Sequence, residues 1–424
     1  MDVSILNDPN FKAILPELSL LILIAIVFFS DLLWLRDRKR SLGWLTAGGL
    51  ALIAIILLAF GQPTNESVEM WGGMLRFDWL GFVFALLFIA GGAATALFAM
   101  DIPELQRGEF YVLLLTSIMG MSLMAASADL IMLFLAIETT SIPLYVLAGF
   151  FREDDKSTES GFKYLLFGAM ASAVMLYGFS LLYGFTGTSD IYQISRGLLA
   201  GGFNDMTMIA ALLLIMVGLG FKISAVPFHF WAPDVYEGSP TPVAGFLSTA
   251  SKAAGFAVVI RVLLIAFPTT IAPSWVAIVA AMSTATMILG NTLALAQKNI
   301  KRLLAYSSIA HAGYVLLGVV AATELGVTSV VFYLIAYTLT NLAAFGVVAI
   351  VGRAVGSDDI AAYAGLSRRA SGLSLVLLVA LLSLAGVPPL AGFDAAAHAG
   401  YVLTLVDEGR LPHPHEGWST FHPP

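Results

Sequence analysis

The chain has 424 residues, of which 59% are hydrophobic and 12% charged, against about 45–50% apolar and about 25% charged in soluble domains. That composition excludes a soluble globular protein and describes an integral membrane protein. The net charge of -7 comes with no basic stripe for nucleic acid, and with no cysteine the chain has no thiolates for an iron-sulfur cluster and no disulfide.

With about 20 apolar residues needed per crossing, the sequence predicts about twelve transmembrane helices. They fall near residues 14–34, 42–61, 78–100, 110–127, 129–150, 161–185, 207–225, 243–266, 273–296, 303–322, 327–351 and 371–391. The first is too long, and too close to Asp31 and a basic cluster, for a cleaved signal peptide, and is expected to stay as an anchor. With the N-terminus outside the cytoplasm, fourteen Lys and Arg residues fall inside, including Arg36–Arg40 and Lys298–Arg302. Only Lys12, Arg76, Arg196 and Arg261 fall outside. This bias follows the positive-inside rule and stays in register as far as residue 391. The basic clusters themselves are topology signals at the headgroups.

Three spans carry ionisable side chains at depth. Glu138 lies in LIMLFLAIETTSIPLYVLAGF, Lys222 in IAALLLIMVGLGFKISAVPF and Lys252 in VAGFLSTASKAAGFAVVI. A bare ammonium at the centre of a span costs about 2.5–3.5 kcal/mol on insertion scales, so each lysine is expected to have a partner, water or a task. Glu138 is nine residues past Asp129 and Lys252 nine past Val243, about 13 Å into the apolar region at 1.5 Å per residue. His311, nine residues past Arg302, is similarly deep. Buried charges of both signs suggest a path for protons or other ions.

The run from Thr207 to Tyr236 would be about 45 Å long as one straight helix, which exceeds a bilayer core. A break is expected between Gly218, Gly220 and Pro227, with the freed backbone groups and Lys222 lining one polar pocket. A second break is expected in LLSLAGVPPLAGF, around Gly386, Pro388, Pro389 and Gly392. A five-helix unit over 110–266 and a second beginning at 273 would each place a break in their fourth helix. That is the layout of an inverted-repeat transporter, and it pairs the Glu138 helix with the His311 helix.

Three blocks carry a family resemblance: GFKISAVPFHFWAPDVYEGSPTPVAGFLSTASKAAGFA, LIMLFLAIETTSIPLYVLAGF and QKNIKRLLAYSSIAHAGYVLLG. Together they resemble the antiporter-like N subunit of proton-translocating NADH-quinone oxidoreductase, respiratory complex I, over nearly all of residues 10–393. The resemblance implies an all-α polytopic antiporter-like fold with fourteen helices in the family, two inverted five-helix repeats and two broken helices. It implies a central hydrophilic axis and no prosthetic group in this chain, with NAD, FMN, iron-sulfur clusters and quinone expected in partner subunits. Glu138 matches the family's glutamate on the fifth helix, Lys222 the lysine at the broken seventh, and Lys252 the bridging lysine on the eighth.

Two departures stand out. The family pattern Gly-Phe-x-x-Lys after the second break is GFDAA here, which puts Ala396 at the lysine position, with Asp394 and His398 as nearby titratable groups. The tail after it has too few apolar residues for another span, so the family's last two helices are not expected in it. The change of composition after Phe393 is equally what a truncated or frame-shifted reading of a longer chain would produce. A whole mass well above 45.1 kDa would mark this terminus as not natural.

The expected organisation is therefore three N-terminal helices over 1–105, a first repeat over 106–268, an incomplete second repeat over 269–406 and a polar tail over 407–424. The expected function is proton translocation in the membrane arm of a bacterial plasma-membrane NADH-quinone oxidoreductase, through Glu138, Lys222, Lys252 and His311. The alternatives are a cation/proton antiporter subunit of the Mrp type and a structural, non-pumping membrane-arm subunit. Plainer roles stand beside each residue: Glu138 bonding Thr139, Thr140 or Ser141 to fix packing, Lys222 and Lys252 in structural ion pairs, His311 as a packed hydrogen-bonder and His229 as a cap on the broken segment. No P-loop or dinucleotide fingerprint is present. His413, His415 and His422 sit in the polar tail and are not expected to hold a metal.

Overall fold

The computed structural model describes residues 8–33, 39–64, 67–201, 205–267 and 271–392. Among them, eleven helices are long and apolar enough to cross a membrane. We number the helices used below α1 (Leu15–Leu33), α2 (Arg40–Phe60), α3 (Trp79–Ala99), α4 (Gly108–Ala126), α5 (Leu130–Ala148), α6 (Asp155–Thr186), α7 (Ile191–Ala200) and α8 (Asp205–Ile223). They continue as α9 (Trp231–Gly238), α10 (Thr241–Ala266), α11 (Ala272–Ala294), α12 (Ile300–Val320), α13 (Glu324–Val355) and α14 (Ser371–Leu384). α7 and α9 are short. The twelfth expected span corresponds to α14, which has 14 residues and ends where Gly386, with φ 70°, and the Pro388-Pro389 bond interrupt it. Between α2 and α3 a small antiparallel hairpin pairs Val68–Met70 with Leu75–Phe77.

The chain divides into two compact units, Met1–Lys222 with Asp234–Pro268, and Ile223–Pro233 with Thr269–Pro424. In the first, α4 packs against α1, α3 and α5, α6 packs on α5, and α10 runs against α3 and α4. In the second, α11 packs on α12, α12 on α13 and α13 on α14. Helices attract poorly through apolar burial in lipid, so small residues set the contacts. A methyl added at Gly120 of α4 would lie 2.6 Å from the Thr140 backbone nitrogen of α5, and one at Gly290 of α11 would lie 2.5 Å from the Ala310 nitrogen of α12. Outward positions are apolar, as Leu21, Ile22, Phe28 and Phe29 of α1 show.

One local arrangement occurs in both units. Asp129 caps α5 by accepting from the Ile131 and Met132 N–H groups, and Asn299 caps α12 by accepting from Lys301 and Arg302. Each capped helix leads to one of 32 residues, α6 or α13, which ends on a left-handed glycine, Gly187 or Gly356. The chain then returns to the capped end, where Asp190 bridges Asp129 in the first unit and Asp359 bridges Asn299 in the second. A further apolar helix and a proline break follow in each case.

The first break is where the sequence places it. α8 stops at Ile223, Ser224 takes φ 59°, and the Val226-Pro227 bond is cis. The interrupted backbone is satisfied by protein, since the Val226 N–H donates to Thr286 Oγ1 at 2.9 Å and the Phe228 N–H to the Ala225 carbonyl at 2.7 Å.

Candidate functional site

Lys222 closes the last turn of α8 and is 5% exposed. Its Nζ donates to Ser141 Oγ of α5 at 2.9 Å. Among the described residues, no carboxylate lies in ion-pair contact with it. Glu138, one turn before Ser141 on the same helix, acts on the ammonium electrostatically without touching it. The group that holds the Lys222 side chain is thus a serine hydroxyl, with the glutamate one turn away on the same helix.

Glu138 is half-buried, and its Oε1 is buried without a hydrogen-bond partner among the described residues. The neighbouring hydroxyls do not serve it. Thr139 donates to the Leu135 carbonyl, Thr140 to Ala136 and Ser141 to Ile137, all at 2.7–2.9 Å. Such i−4 bonds are the usual outlet for Ser and Thr inside helices. The plainer role for Glu138, a packing bond to these neighbours, is therefore not the one the structure gives it.

A cavity of about 10 Å³ adjoins Lys222, lined by Ser141, Tyr145, Ser172 and Gly255 among others. That is about the space of one water-sized probe. Gly255 belongs to α10, the helix of Lys252. Lys252 is 2% exposed, and its Nζ lies 5.9 Å from the centre of the Tyr236 ring, a cation–π distance. It follows directly on a π-helical turn, Leu247–Ser251. The C-terminal end of α10 is fixed by Arg261, which is 2% exposed. It donates from Nε to the Ala125 carbonyl at 2.6 Å, from one terminal nitrogen to Tyr192 Oη at 2.6 Å and from the other to Asp78 Oδ1 at 2.8 Å.

The first unit thus gathers Glu138, Lys222 and Lys252. His311 lies in the second unit, 7% exposed, with Nδ1 2.7 Å from Tyr333 Oη and its ring 5.0 Å from that of Tyr337. A second cavity of about 10 Å³ adjoins it, lined by Tyr333, Tyr337, Thr340, Ser383 and Gly392. His229, in the broken segment, stacks on Phe230 with centroids 4.5 Å apart. Asp394, Ala396, His398, the three C-terminal histidines and the polar tail lie outside the described residues, as does most of the Arg36–Arg40 cluster.

Sequence reasoning treated α1 only as an anchor, yet Glu17 in its first turn is a buried carboxyl, 6% exposed, that accepts from Ser122 Oγ at 2.6 Å. The signal for it was an acid one turn inside an apolar span. Tyr145 and Tyr164 were also missed. Both are buried, with rings edge to face at 4.8 Å, and nothing in an aromatic-rich span distinguishes such tyrosines from packing residues.

The description "NADH:quinone oxidoreductase/Mrp antiporter, TM" matches residues 127–405. The NADH-quinone oxidoreductase subunit N 2 of Chloroherpeton thalassium is 40% identical, over 90% of this chain and 77% of its own length. The chain belongs to this family. Among solved structures, a chain of respiratory complex I from Thermus thermophilus with bound aureothin superimposes with a TM-score of 0.74 at 35% identity, covering 91% of this chain and 83% of that one. A chain of the Mrp complex from Dietzia sp. DQ12-45-1b gives 0.78 at 25% identity, over 91% of this chain and 43% of the other. The family's fold, a multi-pass antiporter-like helical membrane protein, is the fold of this chain.

Proposed function

We propose that the chain is a proton-translocating subunit in the membrane arm of a bacterial NADH-quinone oxidoreductase, sited in the plasma membrane with its N-terminus outside the cytoplasm. The observation that carries this is Lys222, an ammonium withdrawn from solvent within a membrane span and held by a serine hydroxyl rather than by a carboxylate. A structural lysine at such depth would be neutralised by an ion pair. This one sits beside a cavity, with Glu138 one turn from the serine that holds it.

In the proposed cycle, Lys222 holds a proton while the field of Glu138 favours the ammonium. When that field weakens, the proton passes toward Lys252. His311 serves the second unit, where Tyr333 orients its ring. NADH oxidation and quinone reduction take place in partner subunits, which hold NAD, FMN, iron-sulfur clusters and quinone and act on this chain through a coupling free energy. The family resemblance to an NADH-quinone oxidoreductase subunit and to a complex I chain supports these partners. The twice-occurring capped-helix arrangement supports the repeat organisation.

The test is Lys222→Ala in native membrane vesicles, with assembly of the complex followed on a native gel. Proton uptake and quinone reduction should fall together in the assembled complex. Persistence of both at wild-type levels would refute the assignment. The likeness to the Mrp chain favours a second reading, a cation/proton antiporter subunit with no redox partner. Sodium-dependent transport in a strain without the dehydrogenase would select it.

A further inference from the structure

We infer that Glu17 is a proton-binding site of the first unit, separate from the Lys222 region: a carboxylic acid that keeps its proton between α1 and α4. Glu17 is the third residue of α1 and is 6% exposed. Its Oε1 accepts from Ser122 Oγ, on α4, at 2.6 Å. Its Oε2 is buried with no hydrogen-bond partner among the described residues. The serine is aimed at the acid. Along α4 and its C-terminal cap, Thr116, Ser117 and Ser127 turn their hydroxyls back to the Val112, Leu114 and Leu123 carbonyls, the usual outlet in helices. Ser122 gives its hydroxyl proton to the carboxyl instead.

No cation offsets this carboxyl among the described residues. The other ionisable group of α1 is Asp31, fourteen residues on, about 21 Å away along the helix. α4 carries Glu109 and Tyr111, both in its opening turns, and α2 carries Arg40, its first residue. The short helix Pro9–Ala13 brings Lys12 and its cap Asp8. The hairpin brings Glu69 and Arg76, which pair with each other at 3.3 Å. None of these groups touches Glu17, whose one polar side-chain contact is Ser122. An ionised carboxylate here would bury a full charge answered by a single hydroxyl, whereas the neutral acid buries only one unanswered O–H. A residue kept for packing alone would be apolar and leave nothing unsatisfied. In the neutral form Oε1 is the carbonyl oxygen that accepts from Ser122, and Oε2 carries the proton.

The way out is short. Ser122 is the fifth residue from the end of α4, so the carboxyl lies about one turn inside the ends of both helices. The hairpin is fastened across those ends. The Ala128 N–H donates to the Met74 carbonyl at 2.9 Å, Leu75 bridges Ser127, and Trp71 Nε1 donates to the Asn10 carbonyl at 3.0 Å. Glu17 thus exchanges its proton at the hairpin end of the unit. It does so against α4, the helix that also packs on α5 and α10.

The test treats the assembled complex in native membranes with dicyclohexylcarbodiimide and reads the peptide holding Glu17 by mass spectrometry. The reagent adds to a protonated carboxyl. The acid proton moves to a carbodiimide nitrogen, the carboxyl oxygen bonds the central carbon, and the O-acylisourea rearranges to a stable N-acylurea. Nothing is oxidised and nothing leaves. An adduct is expected at Glu17 and should decline as the medium is made alkaline, while Asp101, exposed and paired with Arg40, stays unmodified. Infrared spectra give a reading that needs no reagent access. Subtracting the spectrum of the Glu17→Gln complex from wild type should leave a protonated-carboxyl C=O band that moves down in D2O. A carboxylate band in its place would overturn the site whatever the labelling. Failure of Glu17→Gln to assemble beside a normal Glu17→Asp would also overturn it, because the fold would then need the charge. Either result leaves the Lys222 assignment to its own test.

Discussion

Replacing Arg261 by methionine should loosen the C-terminal end of α10, and the structure sets the size of the effect. The guanidinium makes three charge-assisted hydrogen bonds from a site that is 2% exposed. Breaking a buried ion pair on one side costs about 3–5 kcal/mol. Here the stranded carboxylate is not left alone. Asp78 is 16% exposed, accepts from the Gly81 N–H at 2.9 Å and keeps Arg76 Nε at 3.6 Å. The expected cost is therefore at the low end, about 3 kcal/mol, with methionine refilling the volume of the aliphatic stem. On heating membranes and following the assembled complex on a native gel, the midpoint should drop by about 5 °C. A cycle with Asp78→Asn should show a coupling above about 1 kcal/mol, since the two groups share one network. A midpoint within about 1 °C of wild type, or additive single effects, would refute the assignment of Arg261 as the clamp of this helix.

Further outcomes follow from the same structure. Burial pushes the Tyr192 phenol above its ordinary value of 10.0, so its contribution to the clamp should be fully present below pH 10 and decline as pH rises through the higher folded value; thermal midpoints of the wild-type complex against pH check this. Gly290→Val should force α11 and α12 apart, because the added carbon meets backbone at Ala310. An overpacking cost of about 1–3 kcal/mol is expected, visible as reduced assembly on a native gel. Tyr333→Phe should cost about 1 kcal/mol from the lost bond to His311, measured as a lower thermal midpoint.

The spans were legible because an uninterrupted run of about twenty apolar residues would expose too much oily surface on a water-soluble helix, whereas it matches the thickness of a bilayer core. Both breaks were legible because glycine and proline act on the local backbone wherever they stand. The site was legible only in part. Glu138, Lys222 and Lys252 stand out because charge is rare in lipid. The groups beside them do not, since Ser141 and Tyr145 are ordinary residues for a membrane helix. Their placement arises from long-range packing, such as the close approach of Gly168 to Tyr145. The plainer alternative for Glu138, a bond to a neighbouring hydroxyl, could not be ruled out from the sequence for a related reason. Sequence spacing puts Ser141 one turn away, but the choice between a carboxylate and a backbone carbonyl as acceptor is made by the helix itself.

The π-helical turn before Lys252 determines more than one side chain. An α-helix advances about 100° per residue, and a π-turn accommodates one residue extra, so everything beyond Ser251 is rotated by about that angle relative to Phe246 and what precedes it. α10 is buried on all sides from Pro242 to Val262, so no apolar stripe in its sequence fixes its heading. Deleting one residue between Leu247 and Ser251 would leave composition, hydropathy and span length almost unchanged, yet it would turn the Lys252 side chain toward a different neighbour.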